Sequence, residues 1–284
     1  MQIILVSGLS GAGKSTALKI LEDSGYYCVD NLPLTMLEQL ADIYRHYGYG
    51  NIAVGVDTRT SPLLDQFPKS IKALREKNID VRAIYLDATT ECLVTRYSET
   101  RRKHPLSAGS RTIEECIDIE RDLLADISLV AHRVDTTGLS ANNLRRIIKD
   151  FVQVDFSQLN IIVQSFGFKY GLPIDADFVF DVRCLPNPHY DKTIRNFNGT
   201  EQPIIDFLEK EPTVENMLTD IYQMVSRWFD SFSQDNRNYL TISIGCTGGK
   251  HRSVYLTEKL SQLIRRNFPY KVITRHRQLI INEQ

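Results

Sequence analysis

Between an apolar run, Gln2-Ile3-Ile4-Leu5-Val6, and a helix-like run beginning at Thr16, the chain spells Gly8-Leu9-Ser10-Gly11-Ala12-Gly13-Lys14-Ser15. This G-x-x-x-x-G-K-[ST] spacing at a strand-to-helix junction constrains the fold more than any other segment, because its chemistry works only in that setting. Its glycines let the backbone curl until successive N–H groups face anionic oxygens, and the positive end of the following helix favours the same charge. Lys14 is expected to reach the β- and γ-phosphates, and the Ser15 hydroxyl to hold Mg²⁺. The eight residues Gly8 to Ser15 together predict a site for a purine nucleoside triphosphate, with nothing in the motif to choose ATP over GTP.

The surrounding pattern predicts the sheet that such a loop needs. Apolar runs at Ile3 to Ser7, Tyr26 to Asp30, Ile52 to Asp57, Val81 to Asp87 and Leu129 to Asp135 read as strands. Helical periodicity fills Lys14 to Asp23, Thr35 to Tyr47, Leu63 to Lys77, Thr90 to Tyr97, Thr112 to Asp126 and Ser140 to Val154. Strands apolar throughout and separated by helices form a parallel sheet covered on both faces, with ligands at the carboxyl ends of its strands. The fold class is therefore α/β: an N-terminal P-loop NTPase-like parallel sheet with helices on both faces, plus a C-terminal α/β domain. The boundary is placed at 152/153, giving domains 1–152 and 153–284.

With 284 residues the chain can bury two cores. No apolar run approaches the ~20 residues of a membrane span, and the opening residues lack the basic and apolar regions of a signal peptide. Five cysteines, Cys28, Cys92, Cys116, Cys184 and Cys246, are scattered without a C-x-x-C spacing, so no disulfide framework or zinc site is expected. The cytoplasm is the expected compartment.

A triphosphate site also needs a carboxylate near the metal. Asp57, closing the run Ile52 to Val56, is the first candidate for the Mg²⁺ shell alongside Ser15, and Asp87 is the alternative; either could instead cap a helix. The loop Asp57-Thr58-Arg59-Thr60 is expected to touch the nucleotide through Arg59 or the two hydroxyls. A cluster of Arg96, Arg101, Arg102, Lys103 and His104 leaves a small-molecule kinase as a rival reading, although no feature names a phosphoryl acceptor.

The second half carries another strand-loop-helix unit: Leu240 to Ile244, then Gly245 to His251, then a helix from Arg252 to Arg266. Cys246-Thr247-Gly248-Gly249-Lys250-His251-Arg252-Ser253 spells C-x-x-G-x-x-R-S, the spacing of loops in which backbone N–H groups and an arginine surround a phosphate beside an activated cysteine. An anion-binding loop is the expectation; a cysteine phosphatase is the rival, lacking a visible general acid. Strands are also expected at Leu159 to Phe166 and Phe178 to Arg183, and one long helix from Thr213 to Phe232. Net charge is -1, but the average hides a reversal: a balance of -6 over 153–239 and of +6 from Leu240 onward. Such a shift suits an anionic partner, with Lys271, Arg275 and Arg277 as candidate contacts to RNA phosphates.

Four segments carry a resemblance that spans essentially the whole chain: Gly25 to Pro33 (GYYCVDNLP), Ser165 to Gly171 (SFGFKYG), Asp181 to His189 (DVRCLPNPH) and Gly245 to Val254 (GCTGGKHRSV). Together with the phosphate loop they resemble the RapZ family of nucleotide-binding proteins, also called the YvcJ family. The resemblance implies an amino-terminal P-loop domain that binds ATP or GTP with Mg²⁺ and is at most a weak ATPase or GTPase. It further implies a carboxy-terminal domain that binds small regulatory RNA and senses glucosamine-6-phosphate. Enteric members present a small RNA to the endoribonuclease RNase E, thereby controlling glucosamine-6-phosphate synthase, and the family is oligomeric, so a homo-oligomer is implied. Carried to matching positions, the sugar-phosphate site comprises His189, Thr247, Gly248 and Arg252. One departure stands out: enteric members end in a lysine- and arginine-rich cluster after the counterpart of Arg277, whereas this chain ends Gln278-Leu279-Ile280-Ile281-Asn282-Glu283-Gln284. Loss of those charges should weaken RNA affinity and its salt dependence.

Overall fold

The computed structural model describes residues 1–58, 64–107, 110–153, 159–234 and 239–281. The chain divides into two compact units, Met1–Gln153 and Val154–Gln284. The first alternates strands and helices: β1 (Gln2–Gly8), α1 (Lys14–Glu22), β2 (Tyr27–Val29), α2 (Leu37–His46), β3 (Asn51–Gly55), α3 (Phe67–Glu76), β4 (Asp80–Asp87), α4 (Thr90–Thr100), α5 (Ile113–Leu123), α6 (Ala125–Val130), β5 (His132–Asp135) and α7 (Ala141–Gln153). All five strands are parallel, in the order β2-β3-β1-β4-β5. Ile3 to Gly8 and Val81 to Asp87 are buried along their whole length, as central strands covered on both faces must be. Because β1 is flanked by β3 on one side and β4 on the other, the loop leaving β1 stands where the strand order reverses, the position at which open α/β sheets bind ligands.

The second unit contains β6 (Asn160–Gly167), β7 (Phe178–Asp181), α8 (Gln202–Leu208), α9 (Pro212–Ser226), α10 (Phe229–Gln234), β8 (Tyr239–Cys246), α11 (Arg252–Asn267), β9 (Lys271–His276) and α12 (Arg277–Ile281). Its sheet is parallel in the order β7-β8-β6-β9, so its four strands repeat the order of the first four strands of the amino-terminal unit. Both β6 and β8 are buried throughout, and the α11 face carrying Leu256, Leu260 and Ile264 belongs to the same core. The α/β class with helix-flanked parallel sheets is thus as expected from the alternation of apolar runs.

Three expectations change in detail. Leu129 and Val130 end α6 rather than begin a strand, and Leu129 is 78% exposed, so an apolar residue facing solvent had lengthened the apparent run. The single helix expected over Thr213 to Phe232 breaks into α9 and α10, with the Trp228 N–H bonding three residues back to Val225. After the break, the fully buried Phe229 ring packs edge-on to Phe268 and Tyr270, at 5.0 and 5.8 Å. Finally, Lys271–His276, whose cations alone point to an anionic partner, is a strand beside β6.

Candidate functional site

Gly8, Gly11 and Gly13 all take positive φ, at 140°, 90° and 106°. At Gly8 the need is absolute, since a Cβ would overlap the Leu86 carbonyl of β4. Gly8→Ala should therefore cost at least ~2 kcal/mol of stability, seen as a lower urea midpoint; an unchanged midpoint would contradict this close approach. Gly13 precedes the first turn of α1, whose first turn holds no acidic side chain to oppose a bound anion. The Lys14 ammonium folds back to donate to the Gly8 carbonyl at 2.6 Å, a contact an incoming phosphate oxygen can replace. Arg96 of α4 braces the loop from the far side, donating to the Gly11 carbonyl (3.0 Å) and to the Thr136 carbonyl (2.7 Å) and hydroxyl (3.1 Å). Its guanidinium thus serves the loop's own backbone. Arg101, Arg102 and Lys103 are exposed.

Of the two candidate metal carboxylates, Asp87 is committed elsewhere: it accepts the Ala88 N–H at 2.8 Å and lies 3.0 Å from Arg133 and 3.6 Å from Arg121. Asp57 is buried just beyond β3, whose exit is tied to β1 by the Val56 N–H donating to the Val6 carbonyl at 2.9 Å. The Ser15 hydroxyl with a carboxylate and nucleotide oxygens is the hard-oxygen donor set that suits Mg²⁺. Thr58 follows Asp57 within the described residues; Arg59 and Thr60 lie outside them.

Sequence reasoning missed Glu120. This α5 carboxylate is wholly buried and accepts from the Ser10 N–H and the Ser10 hydroxyl, both at 2.7 Å, and from Thr58 Oγ1 at 3.3 Å, and it lies 3.2 Å from His104 Nε2. Burial alone would push its pKa up, but the His104 hydrogen bond, the Lys14 charge and the Ser10 donors outweigh burial and hold it below the usual carboxylate value. A signal existed: Cys116, Ile117, Glu120 and Leu124 fall on one helical stripe, and the other three are buried and apolar.

In the second unit the loop after β8 packs against the end of β6, where a Cβ on Gly167 would meet the Gly248 backbone at 2.7 Å. Cys246 Sγ lies 3.1 Å from Ser253 Oγ. Burial would raise the thiol pKa, but the Ser253 hydroxyl and the N–H groups of Ser253, Gly249 and His251 outweigh it and bring it below the ordinary value. Arg252, 4% exposed, donates through Nη1 to the carbonyls of Arg183 and Leu185, each at 2.8 Å, while its buried Nε has no hydrogen-bond partner among the described residues. The His189 ring lies 6.4 Å from that of His251 at the end of the same loop, and Thr247 is exposed. The His251 Nε2–H donates to the Arg195 carbonyl at 3.0 Å, and burial holds that imidazole below its ordinary pKa.

The candidate RNA residues are spread along β9 and into α12. Lys271 is exposed, Arg275 is half-buried, and the Arg277 guanidinium lies 3.7 Å from the buried Asp175 carboxylate, so part of its charge is matched inside the fold. All five cysteines are free. Among the described residues no cluster of three or more His, Cys, Asp or Glu side chains could hold a metal by itself, and no helix is long and apolar enough to cross a membrane.

Strand order, glycine conformations and the lysine at the head of α1 define a P-loop α/β protein carrying a second parallel α/β unit. Residues 1–155 match the RapZ-like N-terminal domain and residues 159–280 the RapZ C-terminal domain. A protein of Chromobacterium violaceum named nucleotide-binding protein is 50% identical over 98% of this chain and 99% of its own length. One of Methylobacillus flagellatus with the same name is 49% identical over 99% of this chain and 100% of its own. A solved sugar kinase from Janibacter sp. HTCC2649 gives a TM-score of 0.40 at 16% identity, covering 54% of this chain and 95% of that one. The chain belongs to the RapZ family.

Proposed function

We propose that this chain is an RNA-binding RNase adapter of the cytoplasm, working as a homo-oligomer, that binds ATP or GTP in its first unit and reads glucosamine-6-phosphate in its second. In this reading small regulatory RNA is presented to RNase E, and the sugar phosphate reports the state of amino sugar synthesis. Gly8 to Ser15 hold the triphosphate, with Thr58, Arg59 and Thr60 beside it, and Ser15 and Asp57 complete the Mg²⁺ shell. His189, Thr247, Gly248 and Arg252 take the sugar phosphate. The observation that carries the second site is the buried Arg252, its Nε without a hydrogen-bond partner among the described residues, following a loop whose Gly249, His251 and Ser253 N–H groups turn toward the Cys246 thiol. An anion supplies what that nitrogen lacks. Crosslinking and sequencing RNA bound to the protein in cells tests the adapter reading: recovery of defined small RNAs, released by glucosamine-6-phosphate, is expected. Absence of bound RNA together with Lys14-dependent phosphorylation of a small molecule would replace it with the kinase reading.

RNA affinity should fall with salt, because binding releases condensed counterions. Replacing Lys271 and Arg275 by alanine in the full chain should flatten the slope of log affinity against log salt by about 0.7 to 0.9 per lost contact, leaving RNA preference unaltered. Arg277→Ala should change the slope less, since Asp175 already faces that guanidinium. A salt titration checks both, and an unchanged slope in the double variant would exclude β9 from the RNA surface.

A further inference from the structure

Glu120 brings together three segments that meet at the carboxyl edge of the first sheet. Its Oε2 receives the Ser10 N–H of the phosphate loop and lies within hydrogen-bond distance of His104, in the connection between α4 and α5; its Oε1 receives the hydroxyls of Ser10 and of Thr58, the residue after Asp57. The tautomer of His104 follows from its surroundings: Nδ1 accepts the Leu106 N–H at 3.1 Å, so it carries no proton, and the remaining proton sits on Nε2 and is donated to Glu120. The imidazole is buried while its neighbours Arg101, Arg102 and Lys103 are exposed, so His104 is the anchor by which this cationic stretch is held to the body of the unit. A fixed negative charge within reach of Lys14 works against binding a polyanion. A carboxylate so placed is accounted for by what it positions.

We infer that Glu120 is the positioning residue of the phosphate loop, tying Ser10 to Thr58 and His104 so that loading of the loop and ordering of residues 101–107 are a single equilibrium. This rests on the reading of Gly8 to Ser15 as the nucleotide site. The tie works through hydrogen bonds, and this separates it from a purely electrostatic role. In Glu120→Gln, the amide oxygen can take the place of Oε2, facing the two N–H donors, while the NH₂ faces the Ser10 and Thr58 hydroxyls, which accept after rotating. All four contacts survive and only the charge is lost. Glu120→Ala removes all four, and His104→Ala removes the contact of 101–107 with Glu120 together with the acceptor of the Leu106 N–H and the ring 5.3 Å from Tyr97, leaving the Ser10 and Thr58 contacts in place.

The test is hydrogen exchange and calorimetry on the full chain with Mg²⁺ and a non-hydrolysable ATP or GTP analogue. Wild-type protein is expected to gain protection over 8–15 and over 101–107 together. Glu120→Gln should keep both responses. Glu120→Ala should lose the 101–107 response and bind the analogue about tenfold to a hundredfold more weakly. If that variant does not fold, His104→Ala decides the matter: it should lose the 101–107 response while 8–15 still gain protection, and its affinity should shift a few-fold, by the coupling free energy that the tie carried. Nucleotide-induced protection of 101–107 that persists in His104→Ala or Glu120→Ala would overturn the inference. Absence of analogue binding by wild-type protein, or binding indifferent to Lys14→Ala, would instead remove the nucleotide-site reading beneath it.

Discussion

Lys14→Ala is expected to lose triphosphate binding while the protein keeps its fold. The ammonium is half-buried at the head of α1 and returns to the Gly8 carbonyl at 2.6 Å, so its removal takes no volume from the apolar core and gives up a hydrogen bond to the loop's own backbone. Stability should change by about 1 kcal/mol or less. Affinity should not be spared, because truncating one partner of a desolvated charge pair costs roughly 2–5 kcal/mol, some thirtyfold to several thousandfold. Lys14→Arg is not a rescue: the planar fork cannot follow the course of a flexible ammonium through a loop whose inner face is backbone. Titration calorimetry with ATP and with GTP, beside a urea melt of each variant, gives both numbers. Unchanged affinity would remove the phosphate-loop reading, and a large fall in the urea midpoint would show that Lys14 holds the fold.

The phosphate loop was legible because its conformation is written locally: positive φ at three glycines and a lysine at the helix head need no information from elsewhere in the chain. The sheets were legible for a related reason, since parallel strands buried on both faces are apolar along their length. What lay hidden depends on partners distant in sequence. Glu120 meets Ser10 across 110 residues and Thr58 across 62, and its sole local mark is a carboxylate on an apolar stripe. The strand β9 escaped because only Val272 and Ile273 within Lys-Val-Ile-Thr-Arg-His are apolar, and its place is set by pairing with β6. Charge counting saw the cations of that segment but not the Asp175 carboxylate beside Arg277.

Arg252 shows the same division and leads to the second large effect. Spacing from Cys246 marks it as the arginine of an anion loop, yet its Nη1 is engaged by the carbonyls of Arg183 and Leu185, 69 and 67 residues upstream. The side chain therefore has two duties, and Arg252→Ala is expected to fail at both. Leaving two carbonyls without their shared donor should cost about 2–4 kcal/mol of stability. Losing the unpaired Nε should remove glucosamine-6-phosphate binding by about a hundredfold or more. Arg252→Lys separates the duties: one ammonium can retain a carbonyl contact and much of the stability, but it cannot also present a second nitrogen to the phosphate. Cys246→Ser should retain sugar-phosphate binding, since the serine hydroxyl can replace the thiol contact with Ser253 and the loop N–H groups are unaltered. No phosphate release from glucosamine-6-phosphate is expected in wild-type or Cys246→Ser protein. Calorimetry with the sugar phosphate, urea melts and a phosphate-release assay on the three variants decide the outcome. Binding retained in Arg252→Ala would assign the arginine to the fold alone, whereas turnover that disappears in Cys246→Ser would make the loop a cysteine phosphatase.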